Sequence, residues 1–216
     1  MNHLYDLTRP YDRLSDKDPG KNTRWSLRLT EVPLASQETR YTGMVYDLSL
    51  NSMCATYIDF PGHIKETSDG FDAANYPVER LWQQETRVVH LNRQSGSGAV
   101  TGDELAAAAG GTPQVPCVLL NALGETDAWG IEMRSVWLDF SALDWIIATG
   151  CHLFISDIYE SQRLHGVFQL LFQHHISTVC DPVGLAPLPA RIATTVLFPP
   201  VPGMTQIPCR LVATDL

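Results

Sequence analysis

The 216-residue sequence predicts an α/β fold, or a fold of mixed β and α layers. Three observations support this prediction: short apolar runs rich in β-branched residues recur along the chain, helical patterns lie between them, and 44% of the residues are apolar. This apolar fraction is enough for a sizeable core. Because no internal repeat or long linker interrupts the chain, residues 1–216 are predicted to form a single domain.

Short apolar segments bounded by turn-forming residues predict the strands. They are residues 42–48 (TGMVYDL), 87–91 (RVVHL), 115–120 (VPCVLL), 152–156 (HLFIS), 178–180 and 194–198 (TTVLF). The last third of the chain is rich in proline. It is predicted to be an ordered, extended segment that ends in a strand over residues 209–214.

Two helices are predicted from their end signals. Thr101 and Glu104 form a capping-box pattern that opens a helix over Gly102–Ala109. Ser141 is predicted to open the second helix, ALDWIIAT, and Gly150 to close it as the glycine that follows the helix.

A third helix is predicted from apolar spacing over residues 161–174. One face carries apolar side chains at helical intervals: Leu164, Val167, Phe168 and Leu171. We therefore expect this helix to pack on the sheet.

Charge and hydropathy restrict the partners. The formal net charge of −9 opposes binding to the phosphates of nucleic acid, and no apolar stretch is long enough to span a bilayer. The first residues, MNHLYDLTRP, lack a basic start followed by an apolar run, so we expect no secretory signal and a cytoplasmic location. We expect a small-molecule substrate.

The cysteines are odd in number and widely spaced: Cys54, Cys117, Cys151, Cys180 and Cys209. No CxxC pair is present. This pattern fits reduced, buried thiols better than a disulfide framework.

The segment richest in chemical groups is residues 53–63, MCATYIDFPGH. On an extended strand its odd-numbered residues point to one face, so Asp59 and His63 are predicted to share a cleft within hydrogen-bonding reach. A carboxylate that orients an imidazole produces a base near neutral pH. A structural Asp–His contact at a turn would have the same pattern.

This segment resembles the signature HxGTHxDxPxH of the cyclase family, which includes bacterial kynurenine formamidase. In that family the first two His and the Asp bind a divalent metal, and the last His serves in acid–base catalysis. Four positions of this chain match the signature: Thr56, Asp59, Pro61 and His63. Three differ: Met53 and Tyr57 stand where the metal His residues would be, and Ala55 replaces the Gly.

The resemblance extends over nearly the whole chain in the same order. Residues 4–12 (LYDLTRPYD), 152–161 (HLFISDIYES), 179–189 (VCDPVGLAPLP) and 208–213 (PCRLVA) resemble further family segments. The resemblance implies a swivelling β/β/α domain, in which a mixed sheet is packed by helices. It also implies a homo-oligomer, and we expect a dimer.

The resemblance also implies that most metal-ligand positions have been replaced. Cys180 stands at the family's second acidic ligand and Phe168 near a further His, so Asp59 alone is kept. We therefore expect no divalent metal cofactor. A zinc or manganese site rebuilt from Cys54, Asp59, His63 and Cys180 stays open, although the strand pattern turns Cys54 away.

The remaining site candidates have two interpretations each. Cys180 is either a nucleophile, with His63 as its base and Asp59 as the orienting group, or a buried packing residue. Asp157, Tyr159 and Glu160 follow a predicted strand, where they either bind substrate or form a polar loop. Met53 and Tyr57 are further candidates for substrate binding because they share the cleft face. The tryptophans are predicted to be core or oligomer contacts, although one or two of them can line an aromatic pocket.

Two functions follow from these residues. The first is a cyclase-family hydrolase-like enzyme that acts on a small amide, lactone or cyclic metabolite by metal-independent acid–base catalysis, with lyase or cyclase chemistry left open. The alternative is a non-catalytic module that binds a small molecule or a protein in the former metal cleft.

Overall fold

The computed structural model describes residues 3–11, 25–93, 97–163 and 165–216. Within these residues the strands are β1 (Leu4–Asp6), β2 (Trp25–Ala35), β3 (Arg40–Leu50), β4 (Tyr57–Asp59), β5 (Gln84–His90), β6 (Gly98–Val100), β7 (Cys117–Asn121), β8 (Val136–Leu138), β9 (Leu153–Ser156), β10 (Ser177–Cys180), β11 (Arg191–Leu197), β12 (Gln206–Pro208) and β13 (Arg210–Asp215). The α-helices are α1 (Gly102–Ala109), α2 (Phe140–Ala148) and α3 (Val167–Gln173).

A nine-stranded mixed sheet organises the fold, in the order β1-β13-β11-β5-β7-β9-β10-β4-β12. Its centre, β5-β7-β9-β10, is parallel, while β4, β11, β12 and β13 pair antiparallel. The parallel strands β7, β9 and β10 are buried throughout, as continuous apolar runs in parallel sheets are. The structure therefore confirms the predicted α/β fold, with each predicted strand found within two or three residues of its expected ends.

The sheet separates two apolar layers. On one face, helix residues such as Leu105, Leu143 and Val167 join the core formed by the sheet. On the other face, Phe60, Leu185 and residues of the connecting loops cover the strands.

The ends of the first two helices follow from capping. The Thr101 hydroxyl accepts a hydrogen bond from the Glu104 N–H (3.2 Å), as the sequence predicts for α1. For α2 the predicted cap was wrong, because Asp139 is the N-cap and accepts from the Ala142 N–H (2.9 Å). Gly150 does follow α2 with a positive φ of 69°.

The third helix is shorter than the predicted span of 161–174. It begins only at Val167, because Gly166 adopts a left-handed conformation (φ 84°) that interrupts helical geometry. Val167 and Leu171 are buried as expected, Phe168 is half-buried, and Leu164 lies outside the described residues.

An amphipathic ribbon, β2–β3, lies outside the main sheet. Its two 11-residue strands pair from Trp25↔Leu50 to Ala35↔Arg40. Directly paired residues share a face, and one face carries these apolar side chains, each 40% or more exposed: Trp25, Leu27, Leu29, Met44, Tyr46 and Leu48. The sequence analysis predicted a strand only within β3.

All five cysteines are free and buried, as the sequence predicts. Burial raises the pKa of Cys54, Cys117, Cys151 and Cys209, and for Cys151 the value is about 11. No helix in the described part of the chain is long and apolar enough to cross a membrane.

Candidate active site

Residues 53–63 form a strand only at Tyr57–Asp59, which is a shorter extended stretch than the strand pattern of the sequence suggests. Before the strand, Ala55 has a positive φ of 58°, and after it Pro61–His63 form a 3₁₀ turn. The short strand β4 lies between β10 and β12, with Tyr57 opposite Cys180 and Asp59 opposite Gln206. These two pairings bring together residues from three distant parts of the sequence.

A cavity of about 880 Å³ lies against β4 and the carboxyl ends of β9 and β10. Parallel strands end at the same edge of a sheet, which is why residues 157–160 and 180–181 meet there. The cavity wall includes every site residue predicted from the sequence: Met53, Tyr57, Asp59, His63, Asp157, Tyr159, Glu160 and Cys180.

His63 is held by a glutamine rather than by Asp59. The Nε2 atoms of Gln206 and His63 lie 3.3 Å apart, and Gln206 Oε1 accepts a hydrogen bond from the Ser52 hydroxyl (2.6 Å). Because Ser52 occupies the amide oxygen, the amide N–H₂ is the group that faces His63, and the imidazole accepts through Nε2. This contact and partial burial, which lowers the pKa of His63, both favour the neutral ring.

The predicted Asp59–His63 hydrogen bond was wrong, as far as the described residues show. The Asp59 carboxylate instead lies 3.9 Å from the Cys180 thiol, which donates to Oδ2. Asp59 is only 2% exposed and ends β4, two residues before the 3₁₀ turn Pro61–His63 begins.

The surroundings of Cys180 oppose a thiolate. Nearby cations and helix N-termini stabilise a thiolate, whereas the Asp59 carboxylate, which the Cys180 thiol contacts, disfavours one. Tyr57 is also close: burial, followed by Cys180, Asp59 and Asp181, raises the pKa of its phenol well above the ordinary value. This environment favours the packing interpretation of Cys180.

Asp157 and Tyr159 line the cavity and also form hydrogen bonds with backbone groups. The Asp157 carboxylate accepts from the N–H groups of Ala122 (2.9 Å) and Leu123 (3.0 Å), which follow β7. Burial nevertheless raises the pKa of Asp157 to about 7. The Tyr159 hydroxyl donates to the Val179 carbonyl (2.8 Å), and its ring stacks on Phe168 at 4.8 Å.

Glu160 differs from these neighbours. It is 8% exposed and lines the cavity, yet it makes no hydrogen bond or ion pair among the described residues. Glu160 is therefore a buried carboxylate at the cavity wall that the described residues leave without a hydrogen-bond or ion-pair partner.

Several cavity residues were missed by the sequence analysis. Gln206 follows proline-rich chain and carries no local signal, because only the β12–β4 pairing places it here. Arg134 and His165 also line the wall. Trp129 lines it too, which is the aromatic-pocket alternative that the sequence analysis left open for the tryptophans. Behind Trp129, the buried Arg9 guanidinium stacks on the indole at 4.1 Å and bonds Asp127 at 3.2 Å.

The residues present do not fit a divalent metal. Around Asp59 the other ligand positions hold the Met53 thioether, the Tyr57 phenol, which its raised pKa keeps protonated, and the Cys180 thiol. Nowhere in residues 3–11, 25–93, 97–163 and 165–216 do three or more His, Cys, Asp or Glu side chains gather as a metal site would require.

Solved structures with the same fold include isatin hydrolases and a predicted metal-dependent hydrolase. Isatin hydrolase A from Labrenzia aggregata, bound to benzyl benzoate, superposes with a TM-score of 0.77 at 16% identity, over 99% of this chain and 94% of that one. A predicted metal-dependent hydrolase from Bacillus stearothermophilus gives 0.74 at 15% identity, over 100% of both chains. Isatin hydrolase A from Ralstonia solanacearum gives 0.74 at 16% identity, over 100% of this chain and 92% of that one.

Sequence comparison gives the family. We found no match to the chain among curated proteins. Residues 5–162, well over half of the chain, match the family described as "Putative cyclase". The chain therefore belongs to the cyclase family.

Proposed function

We propose that this chain is a hydrolase-like enzyme that opens a small amide, lactone or cyclic metabolite, including aromatic ones, by acid–base catalysis without a metal. The observation that carries the proposal is the position of His63, bonded to Gln206 at the wall of an 880 Å³ cavity in a chain of the cyclase family. Residues 1–216 would form one catalytic domain, located in the cytoplasm.

In this mechanism a water molecule replaces the long Gln206 contact at His63 Nε2. His63 takes a proton from the water as its oxygen attacks the substrate carbonyl. The C–N or C–O bond then breaks, and His63 returns the proton to the leaving nitrogen or oxygen. Asp59 has no part as an orienting group in this scheme, since its carboxylate contacts Cys180.

The first prediction concerns activity and metal together. Purified protein should hydrolyse at least one compound in a panel of formyl-aromatic amides and small lactones, and chelator should not lower the rate. Elemental analysis should find far less than one zinc or manganese per chain, because the ligand positions hold Met53, Tyr57, Phe168 and Cys180. A stoichiometric metal whose removal abolishes turnover would contradict metal independence, and binding of the panel without turnover would favour the binding module.

The second prediction concerns pH. Burial lowers the pKa of His63 below its ordinary value of 6.5, and the neutral ring is the active form. Activity should therefore be present above this lowered pKa and be lost as the pH falls through it, so the acid limb of kcat/KM should have its midpoint below 6.5. Gln206→Glu should move the midpoint up by about one unit, because a carboxylate favours the imidazolium. A midpoint that Gln206→Glu leaves unchanged would show that another group titrates.

We also propose a homodimer formed by the β2–β3 ribbon. An isolated two-stranded ribbon is marginally stable in water, so we expect its apolar face to be buried against another protein surface. The large apolar side chains of this face are about half exposed, which leaves on the order of 600 Å² of accessible apolar surface per copy. Two copies together would bury an area at the lower limit for specific protein–protein interfaces. A second copy of the chain is always available and presents the same face, as symmetric dimers do.

The third prediction tests this dimer. Light scattering at micromolar concentration should give twice the chain mass of 24.0 kDa. The double change Leu27→Glu and Leu48→Glu, on the apolar face, should give 24.0 kDa, because two carboxylates would be buried at the interface. The matched change Ser26→Glu and Ser49→Glu, on the opposite face, should keep the dimer. A wild-type monomer would contradict the proposal.

A further inference from the structure

The charge of the cavity wall is strongly unbalanced. The acidic residues that line it are Asp59, Glu66, Asp157, Glu160 and Asp181. Of the lysines and arginines in the described chain, Arg134 alone lines it, and that side chain is exposed. His63 is kept neutral by its surroundings, and His165 uses Nε2 on the Leu138 carbonyl (2.8 Å). Such a wall attracts cations and repels anions.

Among the acidic residues of the cavity wall, Glu160 is the one best placed to contact a bound cation directly. Asp157 already accepts from two backbone N–H groups, and Asp59 contacts Cys180. Glu160 is more than nine-tenths buried, lines the cavity and has no hydrogen-bond or ion-pair partner within the described residues. A buried carboxylate without a partner is unfavourable, so its position is explained by a ligand that supplies donors and positive charge.

The aromatic residues beside Glu160 suit the same ligand. Tyr159, its neighbour in sequence, is stacked on Phe168, and both line the cavity with Tyr57 and Trp129. Aromatic rings contact the apolar body of a small molecule and also attract an ammonium group. The Arg9 cation packs on Trp129, is bonded to Asp127 and does not line the cavity, so it does not supply an anion site in the cavity wall.

We propose that Glu160 is a binding residue for a positively charged amine, and that the ligand is a small aromatic or cyclic molecule that carries an ammonium group. The carboxylate accepts hydrogen bonds from the ammonium while the aromatic residues contact the ring. This inference rests on the proposed function only in placing the ligand in the same cavity, and it narrows the substrate class to amine-bearing compounds.

Equilibrium binding of three probes of similar shape tests the proposal without turnover. Benzylamine is protonated at neutral pH, benzyl alcohol is neutral, and benzoate is an anion. Calorimetry or NMR titration of the full chain should give benzylamine a Kd at least about 10-fold lower than that of benzyl alcohol, with benzoate weakest. Raising the salt concentration should reduce the preference only in part, because Glu160 is buried.

Substitutions in the cavity wall test whether Glu160 causes the preference for benzylamine over benzyl alcohol. Glu160→Gln should reduce it to less than about 3-fold. Glu66→Gln, which removes an exposed carboxylate from the same wall, should leave it nearly unchanged. Glu160→Asp keeps the charge and should keep most of the preference for benzylamine. This variant provides the test if Glu160→Gln folds poorly.

Four outcomes would each overturn the proposal: equal binding of benzylamine and benzyl alcohol, tighter binding of benzoate, no benzylamine binding at millimolar concentration, or a preference retained in Glu160→Gln. Failure here leaves the hydrolase proposal standing, because hydrolysis of the amide and lactone panel tests that proposal separately.

Discussion

His63→Ala should lower kcat by about 10²- to 10⁴-fold, the usual contribution of a general acid–base group. The variant removes the proton acceptor proposed for the attacking water but leaves the aromatic walls of the cavity. Since His63 is bonded to Gln206 and is otherwise exposed, the fold should be retained. Steady-state kinetics on whichever panel compound the wild type hydrolyses, with circular dichroism to check folding, would measure the effect.

Two controls separate His63 from other interpretations. His174→Ala removes an exposed imidazole at the end of α3, away from the cavity, and should leave kcat unchanged. Cys180→Ser tests the nucleophile: a true thiol nucleophile would lose nearly all activity, whereas a packing cysteine would lose mainly stability. Full activity in His63→Ala would end its catalytic assignment and would favour the binding module.

Asp157→Ala should lower the free energy of unfolding by about 2–5 kcal/mol, because the N–H groups of Ala122 and Leu123 would be left buried without an acceptor. In a chain of this size such a loss corresponds to a fall in Tm on the order of 10 °C. Thermal denaturation followed by circular dichroism would measure it.

The same variant tests the interpretation of Asp157 as a substrate ligand. Asp144→Ala, an exposed carboxylate on α2, is the matched control and should change Tm little. If Asp157 mainly holds backbone, the fraction of Asp157→Ala protein that is folded should keep a KM near that of the wild type. A stable variant with a greatly raised KM would show that substrate binding is the main role.

Sequence reasoning located the sheet well because buried parallel strands are continuous apolar runs. Residues 115–120 and 152–156 correspond to β7 and β9 for this reason. Helix α1 was predicted at Gly102–Ala109, where it is found, and its start is marked by the local capping box of Thr101 and Glu104. The start of α3 was missed because Gly166 stops the helix by its backbone conformation, which apolar spacing does not reveal.

The candidate site was predictable only along one segment. Strand parity placed Met53, Tyr57, Asp59 and His63 together, and all four do line the cavity, although turns on both sides of β4 replace the expected strand. Strand parity predicted Asp59 as the partner of His63, whereas the residue in contact is Gln206. Gln206 is 143 positions away in sequence and is brought to the site by strand pairing. No local pattern encodes such a pairing, which depends on how the completed sheet is assembled.

The burial of the five cysteines makes thiol accessibility a measure of how the native sheet opens. Cys117 and Cys151 lie beneath the helices or within the central strands, so alkylation there requires transient opening of the core. Cys180 lies at the cavity wall, so a reagent reaches it after a smaller opening than Cys117 or Cys151 requires, and its contact with Asp59 slows the reaction. In an alkylation time course read by mass spectrometry, modification of Cys180 would report occupancy of the cavity, and the later modifications would report the frequency of global opening.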